Sequence, residues 1–186
     1  ELVIVDAWPA EETAVVGRVD LGGYPYAMLL DGDTLAVFQW VYDSGTRGGA
    51  DSTPLRSGYG TRVSFVDVSD RSAPEVTRAI DYEGYYTNAR LIGHDAWVVS
   101  NSWFDMPQAL WDLAYDPALG LPEYDWSASE DEQAATREEM RRKLWPEVEK
   151  VVAGMPIADL LPNWYDWDGA AWSGGDALVS CTDIYR

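Results

Sequence analysis

For its first hundred residues the chain alternates apolar and polar positions in short runs, each closed by turn-forming residues. Val3 to Ala7 and Val63 to Val68 are β-branched runs ending in an Asp and a polar turn, which in the second case reads SDRSAP. Val15 to Asp20 and Glu75 to Asp81 are spaced as their return strands. Ala27 to Leu30 and Ala89 to Ile92 then lead into the tight turns Asp31-Gly32-Asp33 and Gly93-His94-Asp95, from which Thr34 to Trp40 and Ala96 to Asn101 come back. Between each first hairpin and the next stand Gly23-Tyr24 and Gly84-Tyr85, where a missing side chain permits a sharp change of direction.

These paired positions reflect an internal repeat. Shifted by 61 residues, Val5 to Val37 falls on Val66 to Val98 without a gap. The identities sit on the structural punctuation: Asp6/Asp67, Asp20/Asp81, Gly23/Gly84, Tyr24/Tyr85 and Gly32/Gly93 among them. Hairpin, glycine crossover, hairpin is the order expected of radially repeated four-stranded sheets. The expected fold is therefore all-β: a partial β-propeller of about two blades of four-stranded antiparallel sheet, carrying a helical insertion. It should hold the last two strands of one blade, one complete blade and the first two strands of a third. A sandwich or a barrel of hairpins would space its strands similarly and stays the structural alternative. A polar excursion, Gly45 to Gly60, accounts for the length of the repeat.

The pattern changes after the eighth strand. Residues 1–104 read as blade repeats, 105–175 as an acidic, aromatic and partly helical insertion, and 176–186 as the start of a return to the propeller. Ser129-Glu130-Asp131-Glu132 has the form of a capping box opening a helix toward Trp145, with Pro146 interrupting it or starting a second one. Met140, Leu144, Val148, Val151, Val152 and Met155 recur at helical spacing, so one face is apolar. The insertion is expected to lie on the propeller surface or to serve there as a lid or docking element.

Composition narrows the function classes. A net charge of −19 repels phosphate backbones and anionic lipids, so nucleic acid is not an expected partner, and no apolar run is long enough for a spanning helix, which argues against membrane insertion. Only 2 of the 13 basic residues are Lys, and adaptation to high salt would by itself account for the acidity. Open sheet edges lead to the expectation that the chain is a segment of a longer polypeptide, pairing with the remainder of its own propeller or with another copy.

The phrases VSFVDVSDRSAPEVTRAIDYEGYYTNARLIGHDAWVVSN and, near the end, LVSCTDIYR resemble the secreted bacterial and archaeal beta-propeller domain family, distantly related to WD-40 repeats. The resemblance covers residues 1 to about 104 and 176 to 186. It implies a secreted or cell-envelope protein and brings no catalytic motif.

The residues themselves offer few reactive constellations. His94 is the only imidazole and lies in a hairpin turn, and Cys181 follows the β-branched run of ALVSC as a buried, inert thiol, so a nucleophile and base pair is not expected. Calcium is the cofactor candidate: Asp166 and Asp168, in Asp-Trp-Asp-Gly, with Asp176 downstream, offer hard oxygens, although the spacing is not that of an EF-hand loop. Asp105, Asp112 and Asp116 form a second acidic set that would share a helix face. Flat aromatic faces beside carboxylates suit sugars, and the candidate ligand-binding residues are Trp103, Trp111, Trp126, Trp164 and Trp167; the same rings would also staple the insertion to the propeller. The expectation is an extracytoplasmic binding or scaffold module for a protein or glycan ligand. The alternative is a propeller glycoside hydrolase or other glycan-active enzyme with paired carboxylates from the insertion and the loop of residues 45–60.

Overall fold

In the computed structural model of this chain all residues are described except 43–52, 57, 103–105 and 181–186. The chain divides into two compact units, one of residues 1–103 with 162–186 and one of residues 104–161.

Among the described residues the first unit holds ten antiparallel strands. β1 (Leu2–Asp6) pairs with β2 (Ala14–Val19), a two-stranded sheet among the described residues. β3 (Tyr24–Asp31), β4 (Thr34–Tyr42), β5 (Tyr59–Asp67) and β6 (Glu75–Tyr82) form a four-stranded meander. β7 (Tyr85–Ile92) and β8 (Asp95–Asn101) make a second separate pair. This is one complete blade between two half blades. Gly32 and Gly93, with φ of 57° and 65°, supply the left-handed residue of the two-residue turns between β3 and β4 and between β7 and β8.

The 61-residue shift holds in the pairing itself. Leu2 pairs with Val19 as Val63 does with Ile80, and the bulge between Ile4 and Val5 recurs between Phe65 and Val66. Tyr24 pairs with Trp40 as Tyr85 does with Asn101, with the bulge between Pro25 and Ala27 repeated between Tyr86 and Asn88.

Both faces of the central blade are covered, each by a different neighbour. On one, Leu35, Val37 and Val66 are buried with Leu21 against Leu2 and Val19 of the β1–β2 pair. On the other, Ala36, Phe38 and Val63 are buried against Tyr86 and Ala89 of β7. A side chain such as Phe38, 0% exposed, contributes about 2 to 3 kcal/mol by its removal from water. One sheet with a different neighbour on each face is the radial packing of a propeller; a two-layer sandwich would leave one face of each sheet wet.

Residues 163–175, expected within the insertion, extend this blade together with residues 176 and 177, expected to begin the return. β9 (Asn163–Trp167) pairs with β6 and β10 (Trp172–Ala177) with β9, so the sheet order is β10-β9-β6-β5-β4-β3.

The second unit holds α1 (Gln108–Tyr115) and α2 (Glu130–Ala153), which pack on each other. Ser129 caps α2 by accepting from the Glu132 amide, while the Glu132 side chain accepts from the Ser129 amide. Pro146 lies inside α2 and neither ends it nor starts a second helix. It removes one ladder donor, and the turns on both sides continue the helix. Among the described residues no helix is long and apolar enough to cross a membrane.

Candidate functional site

β4 and β5 are the longest strands of the blade, and their far ends carry rings. Tyr42 pairs with Tyr59, Trp40 with Thr61, and Tyr24 with Trp40, so cross-strand pairing places Tyr24, Trp40, Tyr42 and Tyr59 on one face. The Trp40 indole stacks with two rings. Tyr59 stacks on it at 5.5 Å and 22°, and Tyr85, the first residue of β7, at 5.0 Å and 18°. Toward the other end of the same face Phe38 is sealed by Tyr86, ring centroids 4.9 Å apart. Beyond Tyr85 the cover is lost: Tyr24 is 74% and Tyr42 64% exposed.

Thr61, fully buried, holds this end together. Its hydroxyl donates to the Gly84 carbonyl at 2.8 Å, accepts from the Tyr86 amide at 3.2 Å and accepts from the Tyr26 hydroxyl at 3.3 Å. Desolvation by burial pushes the Tyr26 pKa up to about 12, although the residue as a whole is half exposed. Burial likewise pushes the Tyr82 phenol up.

Glu83 forms the rim. Its carboxylate accepts from the Asn163 amide, the Arg56 amide and the Arg56 guanidinium, the shortest contact being 2.6 Å. The Glu83 amide in turn donates to the Asn163 carbonyl. One carboxylate thus ties the crossover into β7 to the segment before β5 and to the start of β9. On the other face of the blade Arg62 and Asp81 form a buried pair, the guanidinium lying 5.0 Å from the Trp172 ring. Gln39, opposite Arg62, donates to the Leu21 carbonyl and the Ser64 hydroxyl.

The candidate residues read from the sequence are distributed differently. Trp103 lies outside the described residues, as do Asp105 and Cys181 and most of the excursion after Tyr42. Trp111 and Trp126 belong to the second unit, where Trp111 stacks on Tyr115 and Trp126 meets Tyr124 edge-on at 4.6 Å. Trp164 packs into the core beside Phe38 and Tyr82, and Trp167, three positions on in β9, is on the opposite face. Asp166 is held by Arg78 in a two-pronged ion pair at 2.9 and 2.6 Å, and the guanidinium keeps its carboxyl below the usual range. Asp168 accepts from the amides of Ala170 and Ala171 and closes the turn into β10. Asp176 is exposed, paired with Trp164 across β9 and β10. Among the described residues no three His, Cys, Asp or Glu side chains are grouped as metal ligands. Asp112 accepts from Gln108, and Asp116 caps a 3-10 turn. His94 contacts Asp31 at 2.8 Å between the two hairpin turns and is exposed.

A family model described as Beta propeller domain matches residues 1–186. The chain belongs to the beta propeller domain family. Neither curated proteins nor solved structures gave a match. In this propeller chain the rings that share a surface are Tyr24, Trp40, Tyr42, Tyr59 and Tyr85, none of which the sequence reading selected as ligand-binding. A signal for two of them was present, because Tyr24 and Tyr85 are an identity of the repeat. Trp40 and Tyr42 precede the polar excursion and Tyr59 is its last residue but one, in a stretch that reads as loop rather than as strand.

Proposed function

We propose that this propeller chain is a ligand-binding module whose binding surface is the aromatic end of the central blade, that its ligand is a glycan, and that it acts outside the cytoplasm, secreted or at the cell envelope. The observation that carries the reading is the exposure of Tyr24 and Tyr42 on the same face as the stacked Trp40 and Tyr59. Pyranose rings present apolar C–H faces that lie on such side chains, while their hydroxyls remain in water. Binding is favoured over glycan hydrolysis because hydrolysis needs an available acid and base, and among the described residues the buried carboxylates, Asp81 and Glu83, are each engaged by an arginine. The extracytoplasmic location is supported by the sequence resemblance to a secreted family.

Fluorescently labelled chain applied to an oligosaccharide array tests the ligand class. Retention on a subset of glycans is expected, weakened about tenfold or more by Tyr42→Ala or Tyr24→Ala, as loss of a stacking ring should do. No retention, or retention indifferent to both substitutions, contradicts the reading. Fractionation of the native host should recover the protein in the medium or envelope; recovery in the cytosol would contradict the location.

A further inference from the structure

β8 and β1 are unfinished edges of the first unit. In the central blade β4 has β3 on one side and β5 on the other, whereas among the described residues β8 has only β7 and β1 only β2. The missing cover shows in the side chains. Phe38 and Val66 are both 0% exposed, but Val99, the repeat equivalent of Phe38, is 60% exposed, and Val5, the equivalent of Val66, 48%. Trp97 and Val3 are open at 64% and 38%, against 9% and 2% for Ala36 and Ser64 in the same places of the central blade. Apolar edge strands of this kind call for a neighbour.

The two edges fit each other. Because β8 repeats β4 and β1 repeats β5, the β4–β5 register sets Trp97 opposite Ile4, Val98 opposite Val3 and Val99 opposite Leu2. Side-chain sizes compensate in that register. Where β4 offers the small Ala36 to the large Phe65, β8 offers the large Trp97 to the smaller Ile4; where β4 offers the large Phe38 to Val63, β8 offers Val99 to the longer Leu2. The like-charge pair Asp95 and Asp6 falls at exposed strand ends, where water and salt screen it. β1 does not reach β8 of its own chain, because the central blade stands between them with one packed on each of its faces.

We propose that β1 of a second copy docks along the open edge of β8, so that β7 and β8 of one copy and β1 and β2 of the next form one complete four-stranded blade. The contact is head to tail, and a closed ring of such copies holds twice as many blades as chains. Rings of roughly four to eight blades take two to four copies. The second copy also completes the aromatic end. Tyr85 lies over Trp40 of the blade before it, and the equivalents of Tyr85 and Trp40 are Tyr24 and Asn101, so the Asn101 carboxamide of one copy comes beside Tyr24 of the next. The inference rests on strand register and stands whether or not that end binds a glycan.

The test is a cross-link between copies of the whole chain, in a Cys181→Ser background. Val98→Cys co-expressed with Val3→Cys should form a mixed disulfide under mild oxidation, about tenfold more than Val98→Cys co-expressed with Ile4→Cys, which sets the thiols on opposite faces. Equal yields, no disulfide, or a Val98→Cys homodimer as the main product overturns the proposal, the last by showing β8 paired with its own copy. Light scattering of the unaltered chain should give the mass of two, three or four chains; a monomer overturns the proposal equally.

Discussion

Arg62 and Asp81 meet across β5 and β6 as a bidentate pair, Nε to Oδ1 at 2.6 Å and Nη2 to Oδ2 at 2.8 Å, with side-chain exposures of 3% and 0%. Desolvating both ions costs much of what their attraction returns, so the pair fixes the register of the blade more than it adds net stability. Removing one partner is a different matter. Asp81→Ala leaves the Arg62 guanidinium in the interior without its carboxylate and should cost about 3 to 5 kcal/mol in equilibrium urea unfolding. Replacing Arg62 by Met and Asp81 by Leu together should cost less than Asp81→Ala alone; a larger cost in the double variant contradicts this reading.

The crossover glycines are required by space. Gly23 and Gly84 do not have positive φ, but a Cβ on Gly23 would stand 2.7 Å from the Trp40 carbonyl oxygen, and one on Gly84 2.9 Å from the equivalent Asn101 oxygen. Both contacts are with backbone, which cannot swing away. Gly84→Ala should therefore destabilise the fold by about 1 to 3 kcal/mol, the usual range for overpacking, and open the approach of β7 to β8. A melting temperature unchanged by Gly84→Ala would show that the crossover can relax.

Alkaline pH acts on the aromatic end through Tyr26. Desolvation of its hydroxyl raises its pKa to about 12, so the fold favours the neutral phenol. Its contribution to stability is whole below the ordinary phenol value of about 10 and is lost as pH rises from there toward 12. Absorbance at the phenolate band should show, among the 11 tyrosines, a late step near pH 12 that Tyr26→Phe removes. Complete titration of the native protein near pH 10 would contradict the buried hydroxyl.

The acidic candidates near β9 make a prediction about calcium. Asp166 is engaged by Arg78, whose hydrogen bonds hold its carboxyl low, so the pair is present at neutral pH and lost as pH falls through that lowered value. Arg78 is half exposed, which limits the pair to about 1 kcal/mol. A cation at Asp166 would have to displace the guanidinium. Millimolar calcium should thus raise the melting temperature no more than sodium chloride of equal ionic strength, both salts screening the net charge of −19. A calcium-specific rise that Asp166→Asn abolishes would assign the site to the ion.

Local signals made the blade legible. Alternation and the glycine-first turns mark β1 to β8 because each depends on residues adjacent in sequence, and the 61-residue repeat shows the same local pattern twice. β9 and β10 were hidden for the opposite reason: their pairing with β6 joins residues such as Asp81 and Tyr165, 84 positions apart, and Asn163-Trp-Tyr-Asp-Trp reads equally well as an aromatic loop. The same distance hid the engagement of Asp166 by Arg78, which only the β6–β9 pairing creates. At the aromatic end, Tyr85 stacks on Trp40 across the gap between blades, a contact no spacing encodes.

The two sets of rings separate most directly by mapping a bound glycan onto ring resonances. With an oligosaccharide retained on the array, side-chain NMR shifts should concentrate at Tyr24, Trp40, Tyr42 and Tyr59. Shifts centred on Trp111 and Trp126, with the blade tyrosines unmoved, would contradict the aromatic end as the binding surface.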